Sequence, residues 1–242
     1  MDQRWDGVFL DLGGVVLDLA SVDRTRELFL ERIEGRYDIS VEDAEAVWRR
    51  TLGEYFEQRD GTEFRPAREG YERAMNQIID EPLDRTDWWP LFVRSAGEGF
   101  EAIEGAGETI MALDDAGLYL GLISDIDAWE AEFILELFEL IEAFDHVTTS
   151  EECGWTKPAP EIFEMAVEKA GIDPDRALYV GDRYEHDMKG GTWAGFRTVA
   201  FGGDAASVVA QPKDGLAVHD EYVDFVIEDV RDLLRIVGLD SD

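Results

Sequence analysis

Val8-Phe9-Leu10-Asp11-Leu12-Gly13-Gly14-Val15-Val16 is the stretch from which the rest of the chain is read. Val8, Phe9 and Leu10 form a short apolar run, the pattern of a buried strand. Asp11 ends that run. A carboxylate at the C-terminal end of such a strand stands where open α/β sheets bind ligands. The glycines behind it let backbone approach a ligand closely. Read alone, Asp11 is equally a turn or cap carboxylate, so the downstream sequence decides.

Gly121-Leu122-Ile123-Ser124-Asp125 is a second apolar strand, ending in a hydroxyl that alone would read as a helix N-cap. Thr156-Lys157-Pro158-Ala159-Pro160-Glu161-Ile162-Phe163 places a lysine just before a helix. Proline suits a first helical turn, and Ile162, Phe163, Ala166 and Ala170 follow with helical spacing. A surface lysine is the ordinary alternative, but the chain has only four lysines against eighteen arginines. Ala177-Leu178-Tyr179-Val180-Gly181-Asp182-Arg183-Tyr184-Glu185-His186-Asp187 is another strand ending in Gly-Asp, with a second carboxylate five residues on. Two such acids can share a hard cation, which takes oxygen ligands; the alternative is a solvated acidic loop.

In this order the segments resemble the haloacid dehalogenase-like hydrolase superfamily, over roughly residues 6–18 and 104–230. The resemblance implies an α/β fold, a doubly wound parallel sheet with a helical cap inserted after the first motif. The core would be residues 1–18 and 102–242, and the cap 19–101. It implies that Asp11 attacks phosphorus and forms an aspartyl-phosphate. Mg²⁺ would be held by the Asp11 carboxylate, the Gly13 backbone carbonyl and Asp182, with Asp187 a second acid of the metal site, direct or through water. Few protein ligands plus waters is the usual Mg²⁺ arrangement. Ser124 would hydrogen-bond the phosphoryl oxygens, with Asp125 beside it at the substrate, and Lys157 would neutralise charge on nucleophile and phosphoryl group.

Gly13 departs from the pattern. Most phosphatases of the superfamily carry a second Asp there, which protonates the leaving group and later activates water. General acid–base catalysis contributes roughly 10²–10⁴-fold, and glycine cannot supply it. A backbone carbonyl ligand survives the change. The Asp-Leu-Gly-Gly-Val wording resembles a branch that includes sugar-phosphate phosphatases. A substrate with a good leaving group, or an acid from substrate, water or a neighbouring loop, would offset the loss. Two other readings remain: a carbon-directed hydrolase like the dehalogenases, which usually carry a bulky aromatic at this position, and a phosphatase-like scaffold that binds without turnover.

About 105 residues separate the first two motifs, far more than a crossover helix needs. They read as helical. Ala44, Trp48, Leu52 and Tyr55 form a stripe with Val41 and Val47 beside it, and further helices are expected over 22–34, 65–80 and 87–99. Gly35, Gly61, Pro66, Pro82 and Pro90 punctuate them. This stretch holds twelve of the eighteen arginines. Arg49, Arg50, Arg59 and Arg65 are candidates for meeting an anionic substrate; the alternative is i,i+4 pairing with Glu on solvated faces. Downstream, strands are expected over 118–123, 144–149, 177–181, 197–200 and 224–227. A helix is expected over 129–144 with Phe133, Leu137, Leu140, Ile141 and Phe144 on one face, then a loop-like 202–222 and a closing helix over 228–237. Alternation of this kind implies a parallel sheet with helices on both faces.

The formal charge is −34, with lysine scarce and acids plentiful, which suggests a salt-loving cytoplasm. At about 1 M salt the Debye length is about 3 Å, so self-repulsion is screened; in dilute buffer the compact state is expected to weaken. The acidity argues against a nucleic-acid partner. Cys153 stands alone, so no internal disulfide forms. His146, His186 and His219 are scattered and suggest no zinc site. No apolar run reaches about 18 residues, so no membrane span is expected, and the N-terminus lacks a signal-peptide pattern. The simplest expectation is a cytoplasmic hydrolase of a small phosphorylated substrate.

Overall fold

The computed structural model describes residues 5–208, 216–218 and 220–239. In chain order, β1 (Gly7–Leu10) leads into α1 (Leu19–Tyr37), α2 (Val41–Glu57), α3 (Ala67–Ile79) and α4 (Arg85–Gly99). Alternation follows: α5 (Ala106–Asp115), β2 (Tyr119–Ser124), α6 (Ala128–Leu137), β3 (His146–Thr149), α7 (Ser150–Cys153), α8 (Pro160–Ala170) and β4 (Ala177–Gly181). A π-helical turn over Tyr184–Met188 then runs into α9 (Lys189–Trp193), and β5 (Arg197–Phe201), α10 (Gly203–Val208), β6 (Phe225–Ile227) and α11 (Asp232–Val237) complete the chain. It divides into two compact units, residues 1–17 with 102–242, and residues 18–101.

In the first unit the described strands form a six-stranded sheet in the order β3-β2-β1-β4-β5-β6, every pairing parallel. β1, β4 and most of β2 are buried along their length, which is why they read as continuous apolar runs. From β1 the order steps outward to β2 and β3, then returns to β4 on the other side of β1. Strand order therefore reverses beside β1, at the carboxyl end of which open sheets bind ligands. Asp11 is the residue that leaves β1 there, its N–H bonded to the Val180 carbonyl at 2.9 Å. Phe9, Ile123, Phe163, Tyr179 and Phe196 pack into one buried cluster against the sheet.

The second unit is helical. Asp18 caps α1 by accepting the Ala20 N–H at 3.0 Å, and Asp38 ends it in a left-handed conformation, φ 57°. The helix thus passes through Gly35 instead of stopping there. In α2 the buried residues are Ala44, Trp48, Thr51 and Tyr55; Leu52, expected in that stripe, is half-buried, and Thr51 takes the place by bonding Gln77 at 2.9 Å. Pro90 lies inside α4, as it does in the helix expected over 87–99. Its missing N–H costs a backbone bond, against which Trp88 and Phe92 bury themselves in the ring cluster around Phe29.

The helix expected over 129–144 is two pieces. α6 stops at Leu137, Glu139 turns left-handed at φ 59°, and a 3₁₀ turn covers Ile141–Ala143. Ile134 and Leu135 are buried, whereas Phe133 and Leu137 are half-buried. Within the expected loop 202–222, residues 203–208 form α10, and 209–215 and 219 lie outside the described residues. α5 was not among the expected helices, and the closing helix begins at Asp232, not 228. Among the described residues no helix is long and apolar enough to cross a membrane.

Candidate active site

Four loops leave the carboxyl ends of β1, β2, β3 and β4, and their side chains meet around Lys157. Its Nζ lies 3.0 Å from Asp11 Oδ2 and 2.7 Å from Asp187 Oδ1. It also donates to the Tyr179 hydroxyl at 3.0 Å and the Ile123 carbonyl at 3.3 Å. The ammonium is wholly buried. Burial opposes its charge, but Asp11, Asp187 and Asp125 hold its pKa above the usual lysine value.

The three acids of the expected metal site are placed unequally. Asp11 accepts the Leu12 N–H on Oδ1 at 2.8 Å and faces Lys157 with Oδ2. Asp187 is well partnered: Oδ1 takes Lys157 and the Tyr179 hydroxyl (2.9 Å), and Oδ2 takes the Arg183 N–H (2.9 Å). It is fully buried, so the solvated-loop alternative does not describe it. Asp182 is bare. It is buried, yet its carboxylate has no hydrogen bond or ion pair among the described residues. Ligand oxygens of the three lie within 4.8 Å of one another. Burial, then the charges of Asp11 and Asp187, push the Asp182 carboxyl up to about 6. Burial likewise raises Asp11. Asp187 is pushed up by burial too, but Lys157 and Arg183 more than offset that and hold it low. An all-oxygen set with an unpartnered buried carboxylate is a fitting environment for a hard divalent cation.

Glycines make this approach possible. A Cβ on Gly14, whose φ is +75°, would lie 2.5 Å from Asp182 Oδ2. A Cβ on Gly181 would overlap the Asp187 side chain. The Gly14 N–H bonds the Leu17 carbonyl at 2.9 Å and so closes the turn that carries Gly13.

Ser124 ends β2 and is buried, and its hydroxyl makes no hydrogen bond among the described residues. Asp125 is placed differently from the expected substrate contact. Its Oδ1 accepts from Ser150 Oγ and the Lys157 N–H, both at 2.8 Å, and its Oδ2 accepts from Arg183 Nη2 at 2.9 Å. Burial opposes its charge, yet His186, Lys157 and Arg183 leave its pKa below the usual carboxylate value. Its carboxylate therefore clamps the loops after β2, β3 and β4, and a second anion would be repelled by it.

Tyr179 and Arg183 belong to this cluster and were assigned no role from the sequence. The signals were there: a hydroxyl in an otherwise apolar strand, and a cation directly after Gly-Asp. Arg183 is 38% exposed, whereas Lys157 is wholly buried. His186 Nδ1 sits 3.6 Å from Asp125. His146 bonds Tyr119 at the start of β3, and His219 lies outside the described residues.

The model of the haloacid dehalogenase-like hydrolase family matches residues 43–201. The chain belongs to this family. The matched span contains Ser124, Lys157, Asp182 and Asp187 and starts after Asp11. Family relatives include a pyrophosphatase PpaX of Oceanobacillus iheyensis, 30% identical over 68% of this chain and 74% of its own. A glyceraldehyde 3-phosphate phosphatase of Pyrococcus furiosus is 35% identical over 56% of this chain; the match spans about half of that relative's length, 54%. Among solved structures, the putative hydrolase YfnB of Bacillus subtilis, solved bound to magnesium, superposes with a TM-score of 0.68 over 97% of this chain and 99% of its own, at 20% identity. The family fold, with its parallel sheet and helical cap, is thus shared across the chain.

Proposed function

We propose that this hydrolase is a magnesium-dependent phosphatase of a small phosphorylated metabolite, working through an aspartyl-phosphate on Asp11. The observation that carries the reading is the bare Asp182 carboxylate beside Asp11, with Lys157 on the other side of the nucleophile. Asp11, Asp125, Asp182 and Asp187 outnumber Lys157 and Arg183, a deficit of positive charge that a divalent cation would fill. The Asp11 and Asp182 carboxylates and the Gly13 carbonyl would hold Mg²⁺, which supplies charge neutralisation for a dianion approaching a carboxylate. Asp187 would serve that ion directly through Oδ2, which carries only the Arg183 N–H, or through water, since Lys157 and Tyr179 occupy Oδ1.

An Asp11 oxygen attacks phosphorus, the ester P–O bond breaks, and the alcohol leaves with a proton taken from solvent or substrate. Water then attacks the phosphorus and releases phosphate, restoring the Asp11 carboxylate. Splitting the displacement in two is what a covalent nucleophile achieves. Lys157 holds Asp11 aimed and opposes the rise that burial imposes on its carboxyl, and the free Ser124 hydroxyl donates to a phosphoryl oxygen. Arg183, the half-exposed cation of the cluster, is the side chain on which an incoming anion would land. Gly13 offers no proton, which favours substrates with good leaving groups, such as anomeric or acyl phosphates. Displacement at carbon with a halide leaving needs no cation, so the bare Asp182 supports phosphoryl transfer over it.

The test is phosphate release from a panel of phosphorylated metabolites and an activated aryl phosphate, with Mg²⁺ in molar KCl as the acid excess recommends. Asp11→Asn and EDTA are each expected to abolish release. Halide release from a 2-haloacid, with no phosphate release from a folded protein, would overturn the reading.

A further inference from the structure

We propose that Tyr179 is the positioning residue of the Lys157 ammonium, fixing where that charge stands against Asp11. The inference rests on the phosphoryl-transfer reading of the site.

A lysine side chain brings its own problem to such a site. Its four-carbon stem is flexible, and immobilising it costs rotamer entropy. Two carboxylates alone would hold the ammonium by charge, which is strong but weakly directional. Tyr179 adds direction. Its ring is wholly buried in β4. Phe163 meets it edge-on at 5.3 Å and 90°, and Phe196 lies 6.0 Å away. On a third side Gly191 gives it room: a Cβ there would stand 2.8 Å from the ring. The phenol oxygen is therefore a fixed point on the sheet.

Its hydrogen bonds can be assigned by counting protons. The hydroxyl has one proton, and Asp187 Oδ1 at 2.9 Å accepts only. The Ile123 carbonyl is at 3.5 Å, the outer limit of a bond. The proton therefore goes to Asp187, and the phenol accepts from Lys157 at 3.0 Å. The three protons of the ammonium then divide among Asp11, Asp187 and Tyr179, with the Ile123 carbonyl sharing at 3.3 Å. Removing the hydroxyl leaves enough acceptors for the charge. What it removes is the anchor that keeps Nζ from sliding along the carboxylates. Tyr179 thus acts through Lys157 and touches no substrate.

Tyr179→Phe keeps the ring packing and deletes only the oxygen. Misplacing a catalytic group by about 1 Å costs roughly 10²-fold, so kcat is expected to fall by about 10- to 100-fold with KM within about twofold. A residue serving only the core would lower the melting midpoint and leave kcat alone. The second measurement is independent of turnover: NMR of the lysine side-chain ¹⁵N ammonium and of the tyrosine hydroxyl proton. In the unsubstituted protein a slowly exchanging Tyr179 hydroxyl proton with cross-peaks to the Lys157 ammonium is expected, and the ammonium signal is expected to broaden or shift in Tyr179→Phe. Unchanged kcat and an unchanged ammonium signal would overturn the proposal. Absence of the cross-peaks would overturn it even if the variant failed to fold. If no phosphate is released but the ammonium signal still responds, the phosphatase reading fails and the positioning role stands.

Discussion

Lys157 in the α/β unit is wholly buried between Asp11 and Asp187, whereas Arg49 in the helical unit is 61% exposed and pairs at 2.8 Å with Glu45, one helical turn earlier. The α/β unit has exposed surface pairs of its own, such as Lys189–Glu185 and Arg235–Asp232, but the two units differ in their most buried charges. In the α/β unit a lysine and acids from separate loops converge at the strand ends and are removed from water. In the helical unit the ion pairs Arg26–Asp23, Arg49–Glu45 and Arg94–Glu98 lie along single helices and keep at least one partner well exposed. Buried charge is expensive and calls for a partner or a ligand. Exposed pairs contribute little and cost little. A charge cluster that the fold pays to bury is therefore the better pointer to chemistry than the larger number of arginines outside it.

Lys157→Met is the strongest way to break this contrast. It removes the cation and leaves Asp11 and Asp187 facing each other without it. Breaking a buried pair costs about 3–5 kcal/mol, and losing one electrostatic group at a reacting centre costs about 10²–10³ in kcat. Urea melts in EDTA and phosphate-release kinetics in Mg²⁺ check the two effects separately. A loss of stability under about 1 kcal/mol would mean that the cluster behaves as a solvated pair, not a buried one.

A divalent cation in the acidic cluster would sharpen the same contrast through pH. Asp182 titrates at about 6 in the metal-free fold against 3.8 ordinarily. Between those values the folded protein holds a proton that the unfolded chain has lost. Its contribution thus favours folding at low pH and is lost as pH rises through that window. A bound cation needs the ionised carboxylate, so it reverses the sign. The Mg²⁺-induced rise in melting midpoint is expected to be small near pH 5 and to grow to several degrees above pH 7, with Asp182→Asn flattening the curve. A gain independent of pH in the unsubstituted protein would take Asp182 out of the metal site.

Much of the site was legible because its residues sit at places that local pattern can mark. Asp11, Ser124 and Asp182 each end an apolar run or follow directly on one, and Lys157 precedes a proline-started helix. What the pattern could not show was how the loops face each other. Asp125 looked like a neighbour of Ser124 at the substrate, but its partners Ser150 and Arg183 are 25 and 58 residues away in sequence. Tyr179 looked like one more strand residue until Lys157 was placed against it, 22 residues away. In the fold, the errors came where tertiary packing overrode local signals. Gly35 reads as the end of the 22–34 helix, yet Ile33 anchors the turn before it in a buried position and α1 runs on to Tyr37. The 129–144 helix had an unbroken apolar stripe, and nothing in that stripe marked the left-handed turn at Glu139.

The smallest expected effect tests the other side of the comparison. Arg49 and Glu45 are spaced i,i+4 with the acid on the N-terminal side, the favourable order for a helix. Both Nε and Nη2 of Arg49 reach Glu45 Oε1, at 2.9 and 2.8 Å. Even so, the pair is solvated, and such pairs contribute about 0.3–0.5 kcal/mol. In a double-mutant cycle of Glu45→Ala and Arg49→Ala, the coupling should stay below about 0.5 kcal/mol and vanish in molar KCl, where screening reaches down to about 3 Å. Of the four arginines considered for a substrate role, Arg49 shows the i,i+4 pairing of the solvated-face alternative; Arg50 bonds Gln77, Arg59 lies over the Phe56 ring and Arg65 over the Tyr55 ring. A coupling that persisted at high salt, or a tenfold rise in KM on Arg49→Ala, would mean that this arginine does more than cover a helix. The helical unit would then share the habit of the α/β unit, in which a charge is placed where a ligand needs it.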